Sequence, residues 1–296
     1  MSPVVAAGRR PLPVGLTRSR KTKDRVFTFF LLVCVALALI PLVVIAVFVI
    51  VRGTGAINTN FFTKLPPGPL DARHTGGISN AIVGSGMIVW LAVVISVPLG
   101  MATAVYLSEY GRGRIATIVR FTANTLLATP SIIAGLVIAA TVVTWTHSFS
   151  AYAGSLALSI LMWPVVTRAT EEVLRLVPQD LREGALALGV PRWKVVLKIV
   201  IPTAGSGIVT GVMLAISRGL GETAAILLTA LGNSFMNTAY GRPTSTITLD
   251  IYTWARQPQA TLQELAWGGA ITLMTTVLVL SITARIVSIR RQRRLA

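Results

Sequence analysis

Two opposite charges stand in an apolar stretch in the last third of the chain. Arg218 and Glu222 are the only charged residues in the run 203–231. An arginine at the centre of a bilayer costs at least about 2.5–3.5 kcal/mol, so its presence needs a reason. A guanidinium offers a planar fork of N–H donors that suits an oxyanion. The pair therefore predicts either a polar path for an anion or a buried ion pair.

Both interpretations rest on the four-residue spacing, which places the two side chains on one face of a helix. In the first, the pair faces a central path, and Glu222 holds the Arg218 fork while the path is empty. In the second, the two charges satisfy each other between packed helices. Ionisable residues inside a membrane are functional by default, which favours the first interpretation and leaves the second open.

A proline inside another apolar run is the next unusual feature. Pro130 lies in the run 121–146, which contains no charged residue. A proline removes one helix hydrogen bond and frees a carbonyl group, which a hydroxyl of Thr129 or Ser131 can satisfy. The break either lines a path or is a tolerated kink, and the residues alone do not separate the two.

One long segment between the apolar runs mixes charge, small residues and helix signals. Pro178 favours the start of a helix, Gly189 its end and Pro191 the start of a second helix, so the sequence predicts helix, tight turn and helix. In the second helix, apolar residues recur at helical spacing, while Lys194 and Lys198 lie together on another face. One face can rest on a membrane surface while the other stays in water.

The composition is that of a membrane protein. Of the 296 residues, 53% are hydrophobic and 12% are charged, and the mean hydropathy is +0.73, which is typical of a chain with several membrane spans. The net charge of +17 could suggest nucleic acid, but the sequence contains no nucleic-acid motif and we expect no such partner. A single cysteine, Cys34, excludes a disulfide within the chain, and the two histidines argue against a histidine-based metal site.

The apolar runs predict an all-α, polytopic membrane protein with six transmembrane helices in a lipid bilayer. A basic tail, residues 1–25, should be disordered and cytoplasmic. The membrane domain should cover 26–287, followed by a second basic cytoplasmic tail, 288–296. The predicted spans are 26–51, 78–107, 118–145, 149–168, 203–231 and 264–285, with a cytoplasmic loop at 169–202 and outer segments at 52–77 and 232–262.

The distribution of Lys and Arg sets the predicted orientation. With six spans and both ends in the cytoplasm, most of the 27 Lys and Arg residues fall in inner segments. The outer segments hold the remaining basic residues apart from Arg218, namely Arg52, Lys64, Arg73, Arg242 and Arg256. This is the positive-inside pattern, and it places the loop 169–202 in the cytoplasm.

That loop also resembles a family signature. Bacterial ABC-importer permeases carry the motif E-A-A-x3-G-x9-I-x-L-P. At matching positions this chain has Glu183, Gly184, Ala185, Gly189, Ile199, Ile201 and Pro202. Gly184 replaces the first alanine and Ile201 replaces the leucine. The resemblance implies the type I ABC-importer permease fold, in which this loop docks on an ATPase subunit.

Two further stretches resemble the permeases of the phosphate-specific ABC importer, of the PstA type. These are Arg218-Gly219-Leu220-Gly221-Glu222-Thr223 and Pro130-Ser131-Ile132-Ile133-Ala134-Gly135. The resemblance implies that Arg218 and Glu222 are needed for transport, and we place Thr223, Pro130 and Ser131 on the same predicted substrate pathway. It also implies a location in the bacterial cell membrane.

The resemblance further implies a set of partners. These are a second permease of the PstC type, two ATPase subunits of the PstB type and an extracytoplasmic phosphate-binding protein of the PstS type. The chain has no G-x-x-x-x-G-K-[ST] motif, so we expect it to be no enzyme and to bind no cofactor, with ATP and Mg used by the ATPase partner.

Alternative functions remain at this stage. A permease of the same class could carry sulfate, molybdate or another oxyanion, and an ion-coupled secondary transporter would need no ATPase. A membrane enzyme is disfavoured because the sequence shows no nucleophile with a base and no metal-ligand cluster.

Overall fold

The computed structural model describes residues 18–68 and 76–295, and within them every regular element is helical apart from one isolated bridge between Leu231 and Thr244. The helices are α1 (Arg18–Gly53), α2 (Thr59–Thr63), α3 (Ser79–Val105), α4 (Gly113–Ala128), α5 (Ser131–Ile138), α6 (Thr144–Thr146), α7 (Ala151–Arg175), α8 (Gln179–Ala187), α9 (Arg192–Val195), α10 (Ile201–Leu220), α11 (Ala224–Leu227), α12 (Ile247–Trp254) and α13 (Ala260–Leu295). The predicted all-α class is confirmed.

Turns of π-helix extend or join several of these helices. Tyr106–Tyr110 extends α3, Ala139–Val143 joins α5 to α6, and Val196–Val200 joins α9 to α10. A π turn adds a residue to one helical turn and is found mostly at functional sites or where a helix must absorb a local irregularity. The last of these turns therefore makes α9 and α10 one long helix.

The chain divides into two compact units, one up to Phe48 and one from Val49 onward. The described part of the first unit is the stretch of α1 up to Phe48, where the large apolar side chains are mostly exposed. Exposed apolar surface of this extent is typical of a helix surrounded by lipid. Residues 18–25, which we expected to be disordered, instead form the first turns of α1. The rest of the predicted tail, 1–17, lies outside the described residues.

Helices long and apolar enough to cross a membrane are Lys23–Ala56, Ser79–Tyr110, Arg192–Leu220 and Ala260–Ile286, and α4 with α5 adds a fifth if the bent pair is one span. Helix α7 has 25 residues, about 37 Å at 1.5 Å per residue, which is enough to cross a bilayer. Small and polar residues make it less apolar than the others. The count of six spans, and the orientation, remain predictions.

Helix α7 lies at the centre of the second unit. Its side chains Val166 and Ala169 approach Gly100 of α3 and Gly211 of α10 so closely that a β-carbon at either glycine would lie 2.8 or 2.6 Å from them. Small residues let helices approach in this way within a membrane. The second predicted span is thus packed against α7 at Gly100.

The third predicted span, 118–145, is not one straight helix. Helices α4 and α5 meet at an angle of 104° across Thr129 and Pro130. Thr129 is extended (ψ 132°), as the residue before a proline tends to be, and Pro130 is the N-cap of α5. The Thr129 hydroxyl donates to the Thr125 carbonyl at 2.7 Å. The proline therefore ends one helix and starts another.

The fifth predicted span, 203–231, is not helical to its end, since the helix that contains its first part runs from Arg192 to Leu220. Pro202 does not separate loop from span. It lies inside the continuous helix, two positions after the π turn Val196–Val200, whose irregular hydrogen bonding accommodates the missing N–H of the proline. The helix that contains the fourth predicted span, α7, continues to Arg175.

The predicted outer segment 232–262 is partly helical. It contains α12, which starts at the N-cap Thr246, whose hydroxyl accepts a hydrogen bond from the Leu249 N–H at 3.3 Å. The Ile247 N–H donates to the Ser85 hydroxyl of α3 at 2.9 Å. Helix α12 is thereby held against α3. Of the other outer segment, 52–77, residues 69–75 lie outside the described part of the chain.

Candidate functional site

The charged stretch of the fifth span lies at the end of a helix. Helix α10 ends at Leu220, and the chain passes through Gly221 and Glu222 to Thr223, the N-cap of the short helix α11. The Glu222 N–H donates to the Gly219 carbonyl at 3.1 Å, and the Glu222 carbonyl accepts from the Thr248 hydroxyl of α12 at 2.8 Å. The break is thus a shaped turn, held from both sides.

Arg218 occupies the last turn of α10 and is exposed. Its guanidinium makes no ion pair or hydrogen bond with any residue in the described ranges. The expected Arg218–Glu222 pair is wrong, because the four-residue spacing brings side chains together only where the helix continues, and α10 has ended. The carboxylate of Glu222 instead accepts a long hydrogen bond, 3.4 Å, from the Ala225 N–H.

The structure brings the two stretches of the predicted pathway together. A β-carbon at Gly135 of α5 would lie 2.7 Å from the Ala225 α-carbon of α11, so these helices touch backbone to backbone. Ala134 and Ile138 pack against Ala225 in the same apolar cluster. The N-terminal turn of α5, with Pro130 and Ser131, and the turn at Glu222 therefore belong to one region, although about ninety positions separate them in the sequence.

The loop that carries the family signature has the predicted form. Pro178 is the N-cap of α8, Gly189 ends it, and Pro191 is the N-cap of the next helix. The Gly189 and Val190 N–H groups donate to the carbonyls of Leu186 (2.9 Å) and Ala185 (3.2 Å). These two bonds form a Schellman motif, whose penultimate residue needs a left-handed backbone. Gly189 supplies it with φ +77°.

The signature residues divide between a buried and an exposed side. Ala185 is buried in a cluster with Leu174 and Val195, and Ile199 packs against the same cluster. Glu183 and Gly184 are exposed. So are three leucines of α8 and its turn, Leu181, Leu186 and Leu188, the last with 85% of its surface accessible. Exposed leucines beside an exposed carboxylate mark this side as a surface for another protein.

A cluster of charges that the sequence analysis did not identify lies at the end of α7. The carboxylate of Glu171, only 1% exposed, accepts from Arg120 at 2.8 Å, Arg168 at 3.2 Å and Arg175 at 2.5 Å. Arg120 also donates to the Leu107 carbonyl at 2.7 Å, which ties α4 and the end of α3 to α7. The spacing of Arg168, Glu171 and Arg175 on one helical face could have indicated part of it.

Comparison with known families agrees with this geometry. The sequence model for the inner membrane component of binding-protein-dependent transport systems matches residues 96–293. This chain belongs to that family. The matched range includes the signature loop, the turn at Glu222 and the bend at Pro130. As a member of this family, the chain is a multi-pass protein of the bacterial inner membrane.

Relatives within this family cover nearly the whole chain. A phosphate transport system permease protein, PstA, from Yersinia pestis is 39% identical over 274 residues, which is 92% of each chain. A second, PstA 1 from Mycobacterium tuberculosis, is 41% identical over 284 residues, 94% of this chain and 92% of the relative. Identity at this level over this length extends the resemblance well beyond the short motifs.

Solved structures show the permease fold of this family. A chain of a bacterial alginate ABC transporter superposes with a TM-score of 0.60 at 17% identity, over 91% of this chain and 96% of that one. A chain of the MetNI methionine ABC transporter gives 0.55 at 17% identity, over 73% and 94%. The predicted ABC-importer permease fold is confirmed.

Proposed function

We propose that this chain is a transmembrane permease subunit of an ATP-driven importer that moves inorganic phosphate into the cytoplasm. The names of its relatives support phosphate as the substrate. The observation that carries the chemistry is the exposed Arg218 guanidinium, which has no partner among the described residues. An arginine free of protein carboxylates keeps all of its N–H donors for an incoming oxyanion.

In this proposal Arg218 is the anion-binding group of the path. Glu222 lies at the turn that follows and repels an anion that comes too close, so binding is weak enough for release. Thr223, Pro130 and Ser131 belong to the same region and shape the wall of the path. The break between α10 and α11 and the bend at Pro130 interrupt the helical backbone, and an interruption at membrane depth is tolerated only where it lines a cavity or is buried in protein.

The chain supplies no ATPase chemistry in this proposal and binds no cofactor. Energy comes from two ATPase subunits of the PstB type, which use ATP and Mg and dock on Glu183 and the exposed leucines of α8. A PstC-type permease completes the path, and a PstS-type phosphate-binding protein delivers the anion from outside. Closure of the ATPase dimer pushes on α8, and the helices respond by alternating the access to Arg218.

The test is uptake of radiolabelled phosphate by proteoliposomes that contain this chain with the PstC-type permease, the PstB-type ATPase and the PstS-type binding protein. We expect ATP-dependent uptake that unlabelled phosphate abolishes and that sulfate and molybdate leave unchanged. Competition by sulfate or molybdate would identify another oxyanion as the substrate. Uptake that persists without the ATPase subunits would contradict the proposal and indicate an ion-coupled transporter.

Docking of the ATPase on α8 has its own test. We expect Glu183→Lys to abolish co-purification of the ATPase subunit with this chain, because it reverses the charge at the centre of the exposed surface. The Glu183 side chain is exposed, so the yield of the membrane-inserted chain should not change. The matched control is Asp180→Lys, a charge reversal in the first turn of the same helix. Co-purification at wild-type yield from the Glu183 variant would contradict this docking site.

A further inference from the structure

A buried ion pair connects the signature loop to a distant part of the chain. The Arg182 guanidinium donates from Nη2 to Oε1 of Glu109 at 3.0 Å, and the two side chains are only 15% and 7% exposed. Arg182 stands in α8 immediately before Glu183, whereas Glu109 lies in the π turn that extends α3. The contact therefore joins the loop to the end of a membrane-crossing helix 73 positions away.

The same short stretch of the α3 extension also holds the second helix of the loop. Arg192, the first residue of α9, donates to the Glu109 carbonyl. Its guanidinium also lies 5.2 Å from the centre of the Tyr110 ring, which is a cation–π distance. Both helices of the loop are thus attached to residues 109–110.

The Glu109 carboxylate is the group that compensates the buried charge of Arg182. Arg182 also donates to the carbonyls of Leu174 (2.7 Å) and Val177 (2.9 Å) at the end of α7, but these are neutral. Its Nε has no partner in the described parts of the chain. Removing one member of a buried pair leaves the other charge uncompensated, which is strongly unfavourable. Arg182 is therefore expected to stay with Glu109 whenever α8 moves.

We propose that Glu109 is a positioning residue that makes α8 and α3 move together, so that displacement of α8 is transmitted to the membrane-crossing helices. This inference rests on the proposed function, in which an ATPase displaces α8. Without the ion pair, α8 remains linked to α7 through the chain itself and through the carbonyls at the end of α7. It then loses its direct charged connection to α3, and ATP hydrolysis is no longer converted fully into transport.

The test compares ATP hydrolysed per phosphate imported in the complete reconstituted transporter. The variant is Glu109→Gln, which keeps the size of the side chain and removes its charge. The matched control is Glu172→Gln, because Glu172 also pairs with an arginine, Arg168 at 3.6 Å, but is 69% exposed. We expect about a tenfold rise in ATP consumed per phosphate for Glu109→Gln, in the range of coupling changes caused by single residues, and no change for Glu172→Gln.

A purely structural role gives a different result. If Glu109 only stabilised the chain, Glu109→Gln would lower the yield and the melting temperature of the complex without changing the ATP-to-phosphate ratio, and the proposal would be overturned. An unchanged ratio with unchanged yield would overturn it as well. In the double variant with Arg182→Gln, the ratio should equal that of Arg182→Gln alone, because both changes break the same contact. Additive effects would contradict a role of the pair.

A failure of the proposed substrate can be distinguished from a failure of the role proposed for Glu109. A wild-type transporter that hydrolyses ATP but imports no phosphate would contradict the proposed substrate rather than the role of Glu109. The role of Glu109 would then be read from the stimulation of ATP hydrolysis by the binding protein. Stimulation about tenfold lower in Glu109→Gln than in wild type would support it, and equal stimulation would overturn it.

Discussion

Two charged regions of the molecule differ in whether their charges are paired. At the end of α7, Glu171 is buried and accepts hydrogen bonds from three arginines. At the end of α10, Arg218 is exposed and has no partner in the described ranges, although a carboxylate follows four residues later. Both sites consist of arginine and glutamate near a helix end. The difference lies only in whether the fold brings the charges together.

The comparison distinguishes a charge that holds helices in place from a charge that is available to a ligand. A carboxylate surrounded by arginines has its hydrogen-bonding capacity filled, and it fixes the positions of the helices that carry them. An arginine left without a carboxylate retains its donors for a ligand. The two regions therefore predict opposite mutational phenotypes, loss of folded protein at Glu171 and loss of transport at Arg218.

The largest effect is expected at Glu171. Glu171→Ala leaves three arginines without their shared carboxylate, and we expect a loss of about 3–5 kcal/mol in the free energy of unfolding. The melting temperature of the purified protein in detergent should fall by at least about 6 °C. The control is Glu172→Ala, whose exposed side chain should contribute no more than about 0.5 kcal/mol. Equal stability of wild type and Glu171→Ala would remove the distinction between the two regions.

The next effect concerns transport through Arg218. Arg218→Ala should lower phosphate uptake about a hundredfold, since charge-assisted hydrogen bonds to an oxyanion are lost. The melting temperature should stay at the wild-type value, because the side chain is exposed and holds no other described residue. Arg218→Lys, which keeps the charge without the fork, should restore part of the uptake. Wild-type uptake by Arg218→Ala would exclude Arg218 from the path.

A smaller effect is expected at Asp250 of α12, a buried carboxylate that pairs with no arginine in the described part of the chain. Burial raises the pKa of this carboxyl from 3.8 to about 7, against the opposing effect of a hydrogen bond from Ser245. The folded protein therefore holds a proton between pH 4 and pH 7 that the unfolded chain has released, so stability falls as the pH rises through this window. Above about pH 7 the carboxyl is ionised in both the folded and the unfolded state, so its effect on stability no longer changes with pH.

The measurement for Asp250 is the melting temperature of wild type and Asp250→Asn at pH 5 and pH 8. The asparagine cannot ionise. The free energy of unfolding of the variant relative to wild type should therefore rise by on the order of 2 kcal/mol from pH 5 to pH 8. Asn233→Asp, an ionisable change at an intermediate-exposure site of the same segment, is the control and should show no such gain. The same pH dependence in Asp250→Asn and wild type would show that the carboxyl titrates normally.

Local signals predicted the signature loop well and the charged turn badly. At Gly189 and Pro191 the prediction depended on backbone preferences of single residues, and the turn formed as expected. At Arg218 and Glu222 the prediction assumed that the helix continued, but it ends at Leu220. Gly221 directly after Leu220 is a helix-end signal of the same kind as Gly189. The prediction gave more weight to the apolar residues from Ala224 onward, which favour a continuing span.

Pairings between distant segments could not be obtained from spacing. Arg120 and Glu171 are 51 positions apart, and Arg182 and Glu109 are 73 positions apart. Without knowledge of how α3, α4 and α7 pack, each of these residues is one of many charges near the end of an apolar run. The helix α12 was missed for a related reason, since its buried face packs on α3 and the polar residues around it concealed the helix.

The amino-acid sequence by itself determined the helical class, the position of the tight turn at Gly189 and the family signature. These follow from apolar length and from backbone preferences, which act over a few residues. Only the tertiary structure decided that the carboxylates of Glu171 and Glu109 pair with arginines and that Gly135 touches Ala225. It also decided that Arg218 has no partner among the residues that the structure describes. A charge is compensated by whatever the packing of helices brings within about 4 Å of it, and that distance is independent of separation along the chain.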